Sequence, residues 1–359
     1  MITRTELMIS EIYSSMNFKA QIMRKTFVFF IAALTLAAAS CSKKDEVKPV
    51  SSFTVQATTR NGSSGTSFAL GDTTNFAFTG NPDIITFYSG EPGKNYEYRT
   101  RVKAAGIPQL KFSNLRAGGP QAGSLSLLVS SDFKSVVLRT AAGVQVRDTS
   151  ATNANIAGAT WTDITSRALL STGAAAAVAS GTIDLSDFSK DGKPVYIAFK
   201  YLAVAGTIQN KWTISALTLN NVLADGSTYT NASLNGPTKA ISNYGNSTYG
   251  PGWAVSYDPS KNLNKLGWVY TDGTSLVITG AATAAAATAP AEAWAIMGPI
   301  DLSRVTPDAG LAIKNISATL SSYQYKYTAA GSYNSVFVAA NSTADESATK
   351  ETTVQIIVK

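Results

Sequence analysis

The sequence predicts an all-β protein, and three observations carry this prediction. Apolar and polar residues alternate with a period of two in short runs, such as residues 53–58 and 75–79, and glycine, proline or asparagine separates the runs. Only 15% of residues are charged, whereas Ser, Thr, Gly, Ala and Asn are plentiful, which is typical of β-proteins with many turns. No long amphipathic helical pattern occurs after residue 40.

The N-terminal stretch has the layout of a secretory signal. Arg24 and Lys25 lead into an apolar run, which ends in small residues before Cys41. The run is about fifteen residues long, shorter than the roughly twenty that a membrane-spanning helix needs. We therefore predict that residues 1–40 are a signal peptide that is removed. We expect the natural start at Met23, because the preceding residues lack a cationic lead-in.

The small residues followed by Cys41 resemble a bacterial lipoprotein processing site. The match departs from the usual pattern at Ala38, where leucine is typical, and the nearest leucine is Leu36. The resemblance implies that the Cys41 thiol is acylated and anchors the mature chain to a membrane, with two or more acyl chains making the anchorage stable. The alternative is a free thiol beside an ordinary signal peptide, with no second cysteine to pair with.

Residues 41–51 form a short charged tether. Asp45 and Glu46, close behind the cysteine, resemble the export signal that carries lipoproteins to the outer face of the outer membrane in glycan-harvesting Gram-negative bacteria. This resemblance implies an outer-membrane protein that is lipid-anchored and faces the cell exterior. The alternative is an ordinary solvated linker.

Composition excludes several classes of function. The chain contains no histidine, which removes the Ser-His-Asp triad, the Cys-His dyad and histidine acid–base chemistry. Its formal net charge is +7, and removal of residues 1–40, which carry four cations and two anions, leaves +5. Because these charges are spread along the chain, they do not favour nucleic acid as a partner. We predict that the protein is not an enzyme.

Residues 86–99 carry the segment that reads FYSGEPG followed by two spaced tyrosines. Together with the C-terminus, this segment resembles an uncharacterised domain-of-unknown-function family of bacterial surface lipoproteins, as found near starch-utilisation-type glycan uptake systems. We expect Gly90 and Gly93 to form tight turns and the tyrosines to alternate with Glu97 on a strand. Glu91 and Glu97 could alternatively form a catalytic carboxylate pair.

The two ends of the mature chain each read as half of a sandwich. Residues 323–358 resemble the second half of a polycystic-kidney-disease-type (PKD-like) immunoglobulin-like domain, and residues 52–105 look like a front half. Half a sandwich buries too little surface to be stable alone. We therefore predict one domain built from residues 52–105 and 315–359, with residues 106–314 inserted. The alternative is two separate modules.

The insert of residues 106–314 contains short, evenly spaced strand patterns. In residues 195–201, Val195, Ile197, Phe199 and Tyr201 share one face, and Tyr196, Ala198 and Lys200 share the other. These strands resemble a galactose-binding-like jelly roll. We expect Trp161 and Trp212 to be core residues rather than ligand platforms. A structural calcium ion is common in such jelly rolls, but no calcium-loop spacing places one here.

The densest aromatic stretch, residues 243–258, is rich in glycine and predicts a loop. Aromatic rings stack on the C–H faces of sugars, while amide and carboxylate groups bond sugar hydroxyls. The candidate ligand-binding residues are Tyr249, Trp253, Tyr257 and, beyond the stretch, Trp268. The alternative is that Trp253 and Trp268 fill the core and the tyrosines brace loops.

These observations favour a non-catalytic surface lipoprotein that binds a polysaccharide or oligosaccharide for an outer-membrane uptake system. The expected partners are a glycan, the membrane through the lipid anchor and an uptake complex. A structural or adhesin-type lipoprotein, or an accessory lipoprotein that binds other proteins, is the first alternative. A carboxylate-based glycoside hydrolase is the second.

Overall fold

The computed structural model of the chain describes residues 46–59, 62–173, 175–234, 252–271 and 273–359, with the side chains of residues 144 and 145 left out. In these ranges the chain is almost entirely β-structure, so the prediction of an all-β fold is confirmed. No helix among these residues has the length and apolar character that a bilayer crossing requires.

Twenty-two strands and one α-helix are present in the described ranges. In chain order the elements are β1 (Thr54–Thr58), β2 (Ser67–Phe68), β3 (Thr73–Thr79), β4 (Ile84–Tyr88), β5 (Ile107–Ala117), β6 (Leu125–Ser130), β7 (Leu138–Ala141), β8 (Val144–Arg147), α1 (Thr149–Gly158), β9 (Thr162–Asp163), β10 (Val178–Ala179), β11 (Ile183–Asp184), β12 (Val195–Ala203), β13 (Lys211–Val222), β14 (Thr228–Ser233), β15 (Gly252–Ser256), β16 (Val269–Thr271), β17 (Ser275–Thr279), β18 (Ala291–Ile300), β19 (Leu311–Lys314), β20 (Ser322–Lys326), β21 (Gly331–Ser342) and β22 (Ser347–Val358). Short 3₁₀ turns lie at Tyr96–Tyr98, Thr165–Arg167 and Ser186–Phe188.

The chain divides into two compact units. The first contains the described residues up to Phe87, together with Ala312–Gly331 and Phe337–Lys359, and the second contains Tyr88–Leu311 and Ser332–Val336. The first unit is interrupted after Phe87, whereas the sequence pattern predicts a domain boundary after residue 105. The difference arises because residues that follow Phe87 are hydrogen-bonded to residues 308–309. The Asn95 N–H donates to the Asp308 carboxylate over 2.8 Å, for example.

The first unit combines strands from both ends of the chain. Strands β1, β3 and β20 form one sheet, in which Phe76 lies opposite Tyr323, and a second sheet has the order β19-β4-β21-β22-β2. Aromatic rings from the two sheets meet in the core. The ring of Phe337 lies 4.9 Å from that of Phe76 and 4.8 Å from that of Phe87, measured between centroids. This packing joins the two sheets into a sandwich.

The segment after Phe87 contains the expected turn but not the expected strand. Gly90 has φ +84°, and a Cβ there would meet the Asn334 backbone oxygen at 2.9 Å, so this position requires glycine. The strand predicted around Glu97 is wrong, because Tyr96–Tyr98 form a 3₁₀ turn. Asn95 caps this turn, since its side-chain oxygen accepts a hydrogen bond from the Glu97 N–H over 3.1 Å.

The second unit is also a two-sheet sandwich. One sheet has the order β10-β5-β13-β17-β16, with β11 also on β5 and β14 also on β13, and the other has the order β15-β18-β12-β6-β9. We call the latter the groove sheet. Side chains on the inner faces of both sheets form one apolar core, in which Phe199 on β12 and Ile214 on β13 are fully buried. The face predicted to be shared by Val195, Ile197, Phe199 and Tyr201 is therefore the one that packs in the core.

The outer face of the groove sheet is only partly covered. Helix α1 lies over it and contributes Ile156 to a second apolar cluster with Tyr196, Ala198 and Trp294. The helix begins at a cap, because the Asp148 carboxylate accepts a hydrogen bond from the Ala151 N–H over 2.9 Å. No amphipathic pattern predicted this short helix. Beside the helix, the part of this outer face that the helix does not cover forms a groove.

Candidate ligand-binding groove

The residues predicted to bind a ligand do not form an exposed aromatic surface within the described ranges. Cys41 and Tyr249 lie outside these ranges. Trp253 and Trp268 are only 1% and 4% exposed, and both belong to the core between the two sheets. Tyr257 is half-buried and packs against the same core. The burial of the two tryptophans agrees with the alternative prediction, in which they fill the core.

The physical reason for this burial is a strand where the glycine-rich pattern indicated a loop. Gly252–Ser256 form β15, which pairs with β18 so that Trp253 lies opposite Met297. The loop prediction is therefore wrong for these five residues. In a strand, alternate side chains point to opposite faces, and this register directs the Trp253 ring inward. The ring stacks on that of Phe199 at a centroid distance of 6.4 Å.

A groove of about 610 Å³ lies on the outer face of the groove sheet. This volume is within the usual range for small-molecule sites, about 300–1,000 Å³. The walls come from α1, from the segment that follows it, and from the loop after β15. The floor comes from β6, β12 and β18. Rigid strands thus supply the floor, and loops supply the rim.

Strand register brings the charged and aromatic residues of the floor together. Lys200 on β12 lies opposite Trp294 on β18, and Leu202 lies opposite Glu292. The Lys200 ammonium nitrogen is 5.0 Å from the centroid of the Trp294 ring, within the range of a cation–π contact. Lys200 and Trp294 therefore contact each other although 93 residues separate them in the chain.

The Glu292 carboxylate is the centre of this cluster. It accepts a hydrogen bond from the Trp294 indole N–H over 2.9 Å and pairs with the Lys200 ammonium at 3.3 Å. The Lys261 ammonium, on the rim, lies 4.0 Å from the same carboxylate. Because both side-chain oxygens have partners, the carboxylate, the ammonium and the indole ring are fixed relative to one another.

Trp161 forms an aromatic wall beside the floor. Its indole N–H donates to the Ile156 carbonyl over 3.0 Å, and its ring centroid lies 5.2 Å from that of Trp294. Trp294 is only 6% exposed, whereas Trp161 is half-buried and retains open surface toward the groove. The expectation that Trp161 is a core residue therefore holds only in part, while Trp212 is buried as expected.

The loop that carries Lys261 is tied to the floor by Asn262, which is fully buried. The Asn262 side-chain amide donates to the carbonyls of Leu266 and Glu292, over 2.6 Å and 3.1 Å, and its oxygen accepts from the Leu266 N–H. Asp258 lies on the same loop. The Ser260 hydroxyl and N–H both bond the Asp258 carboxylate and hold its pKa below the usual value.

The sequence contains a pattern that indicates this groove, although the predicted ligand residues do not include it. Tyr196, Ala198 and Lys200 share one face of β12. A lysine among the apolar residues of a strand indicates that other parts of the protein do not completely cover this face. Glu292 and Trp294 alternate with alanines on β18 in the same way. Pattern alone could not show that these two strands are neighbours.

Within the ranges that the structure describes, no three acidic or cysteine side chains lie close enough together to hold a metal ion. The calcium ion considered from the sequence therefore has no residues assigned to it. The groove instead combines a partly exposed indole ring, fixed carboxylate oxygens and a rim braced by the Asn262 amide. Such an arrangement can stack on an apolar ligand face and accept hydrogen bonds from hydroxyl groups.

The fold defines an all-β sandwich protein, and one of its sheets carries a surface groove. Over residues 40–238, more than half of the chain, the sequence matches the family described as Domain of unknown function (DUF5017), and the protein belongs to this family. No curated protein and no solved structure matches the chain. Trp161 and Lys200 lie inside the matched range, whereas Lys261, Glu292 and Trp294 lie beyond it.

A pH-dependent contact supports the wall that carries Trp161. The Asp132 carboxylate accepts hydrogen bonds from the Ser130 hydroxyl over 2.7 Å and from the Thr160 N–H over 2.9 Å, which lowers its pKa. A pKa that is lower in the folded state stabilises the fold fully above the unfolded value of about 3.9. The stabilisation is lost as the pH falls through the folded value.

We predict that Asp132→Asn lowers the free energy of unfolding at pH 7 by about 1 kcal/mol, because an exposed carboxylate loses two charge-assisted hydrogen bonds. The difference from wild type should shrink as the pH falls below about 4, because the Asp132 carboxylate is then protonated in the unfolded chain and folding must release that proton. Urea denaturation followed by tryptophan fluorescence reports this unit, because all five tryptophans lie in Tyr88–Leu311. A difference that stays constant from pH 7 to pH 3 would contradict the prediction.

Proposed function

We propose that the protein is a non-catalytic lipoprotein of the outer cell surface that binds glycan in the groove described above. The observation that carries the proposal is that the half-buried Trp161 and the fixed carboxylate of Glu292 line the same groove. A sugar ring offers a C–H face to the indole and hydroxyls to the carboxylate and amide groups.

The contacts of Glu292 support a role of this carboxylate in binding rather than catalysis. A general acid or base must be free to exchange a proton with the substrate. The Glu292 carboxylate is instead held by the Lys200 ammonium and the Trp294 indole N–H, and the chain has no histidine to share such a task. The proposal therefore assigns the groove residues to holding a glycan near an outer-membrane uptake complex.

The anchor is the second part of the proposal. A secretory signal that ends just before Cys41 supports acylation of that thiol, and the acidic pair Asp45 and Glu46 behind it supports display on the outer face of the outer membrane. The finer resemblances, to a PKD-like sandwich and a galactose-binding-like jelly roll, belong to the same proposal. The two-sheet sandwiches of both units are compatible with them.

Binding to glycan is tested by titration calorimetry against a panel of soluble polysaccharides. We expect Trp161→Ala to weaken binding tenfold or more, about 1.4 kcal/mol, because the open stacking face is lost. Trp161→Phe should retain part of the affinity. Leu169→Ala, at a residue of the same unit that is 64% exposed and does not line the groove, is the matched control.

Three outcomes separate the candidate functions. Unchanged affinity in Trp161→Ala would remove the groove as the glycan site. Failure to bind any polysaccharide in the panel would favour the structural or protein-binding alternative. Release of reducing sugar from a bound polysaccharide would establish a hydrolase and overturn the assignment as non-catalytic.

The anchor is tested by expressing the full chain in a Gram-negative host and separating membranes from soluble fractions. We expect the wild-type protein in the membrane fraction, with mass spectrometry showing acyl chains on Cys41, and we expect Cys41→Ser in the soluble fraction. A change from thiol to hydroxyl removes the acylation site with little change in size. An unmodified Cys41 on a soluble wild-type protein would contradict the lipoprotein assignment.

A further inference from the structure

The ionisable side chains that line the groove have a specific balance of charge. Two are cations, Lys200 and Lys261, and three are anions, Asp163, Asp258 and Glu292. With all five ionised, the lining carries one net negative charge, although the chain as a whole is basic. The net charge of the groove lining is therefore opposite in sign to the net charge of the chain.

Both cations of the lining already face a carboxylate. The Lys200 and Lys261 ammonium groups lie 3.3 Å and 4.0 Å from the Glu292 carboxylate. The Lys200 side chain is 24% exposed and that of Glu292 is 20% exposed, so this pair is fixed in the floor. Lys261 is 55% exposed and its contact is looser. A ligand carboxylate that reached Lys261 would still come close to the charge of Glu292.

The other two carboxylates leave acceptor oxygens at the groove. The Asp258 carboxylate is bonded by Ser260, and one oxygen of Asp163 accepts a hydrogen bond from the Thr165 N–H over 2.8 Å. Asp163 is exposed and Asp258 is half-buried. Ionised carboxylates accept hydrogen bonds from sugar hydroxyls, and they repel a ligand that carries carboxylates of its own.

We infer that the groove selects uncharged glycans and rejects glycans that contain uronic acids or other carboxylated sugars. This inference rests on the proposed glycan-binding function and adds the class of glycan. Glu292 is the specificity-determining residue, because its carboxylate neutralises the two lysines that would otherwise pair with an anionic sugar. Asp163 and Asp258 add repulsion at the rim.

The test compares one polymer in two charge states. The probes are the neutral polysaccharide that binds best in the calorimetric panel, and the same polymer after selective oxidation of its C6 hydroxyls to carboxylates. We expect oxidation to weaken binding to the wild-type protein tenfold or more at low salt. The loss should diminish in 1 M NaCl, where the screening length falls to about 3 Å.

Two variants test the role of charge in the lining. Glu292→Gln frees Lys200 and Lys261, so the ratio of the affinities for the neutral and the oxidised polymer should fall to about threefold or less, whatever the effect on the affinity for the neutral polymer itself. Asp258→Asn, at a half-buried position on the rim, should reduce the loss by a smaller factor. Glu97→Gln is the matched control, because it removes an exposed glutamate outside the groove and should leave the discrimination unchanged.

The outcomes distinguish this inference from the proposed function. If the wild-type protein binds the oxidised and neutral polymers equally, the selectivity is overturned and glycan binding stands. If Glu292→Gln and Asp258→Asn, both folded by circular dichroism, keep the full discrimination, the role of the groove charges is overturned. If no neutral polysaccharide binds, the proposed function fails, and the inference fails with it.

Discussion

The Glu292 carboxylate organises the outer face of the groove sheet. It lies on a strand whose inner face is apolar, and it joins the Lys200 ammonium, the Trp294 indole N–H and the Lys261 ammonium. Partly buried charges are stable only when they are paired and hydrogen-bonded, since removal of one partner leaves the other uncompensated. This one side chain therefore holds the Lys200 and Trp294 side chains of the floor in place. Its pairing with the lysines also determines which charges a ligand in the groove would meet.

The walls depend on hydrogen bonds that reach the floor from outside the sheet. Asn262 ties the loop of Lys261 to the backbone of Glu292, and Asn153 on α1 ties the helix to the chain at Tyr257, where its amide donates to the backbone carbonyl over 2.8 Å. A buried amide that bonds several backbone groups, as that of Asn262 does, holds a loop in one conformation. The groove is consequently a preformed feature of the fold, which lowers the entropic cost of binding a ligand.

Local pattern was enough to predict the class of fold. Alternation in residues 195–201 separated the core face of β12 from its other face, and turn residues marked the ends of many strands, because side-chain direction in a strand depends only on position. The neighbours of a strand depend on pairing between distant residues. The contact of Lys200 with Trp294 is set by the register of β12 on β18, which no local pattern records.

The same limit explains why the candidate ligand residues were drawn from one stretch of sequence. Glycine and aromatic density around Trp253 indicated a loop, but backbone pairing with β18 makes this segment a strand and buries the ring. The groove takes its aromatic residues from two distant segments, at Trp161 and Trp294. The match to the DUF5017 family covers Trp161 but not Trp294, so the groove combines residues from inside and outside the matched range.

The central claim is that the outer face of the groove sheet is the surface that receives a glycan. Hydrogen–deuterium exchange with and without a neutral polysaccharide measures this directly, because exchange slows where a ligand restricts local opening. The account predicts slower exchange in residues 157–163 and 257–266, the two segments that form the walls. Slowing confined to residues 235–251, or to the first unit, would place the ligand elsewhere and contradict the claim.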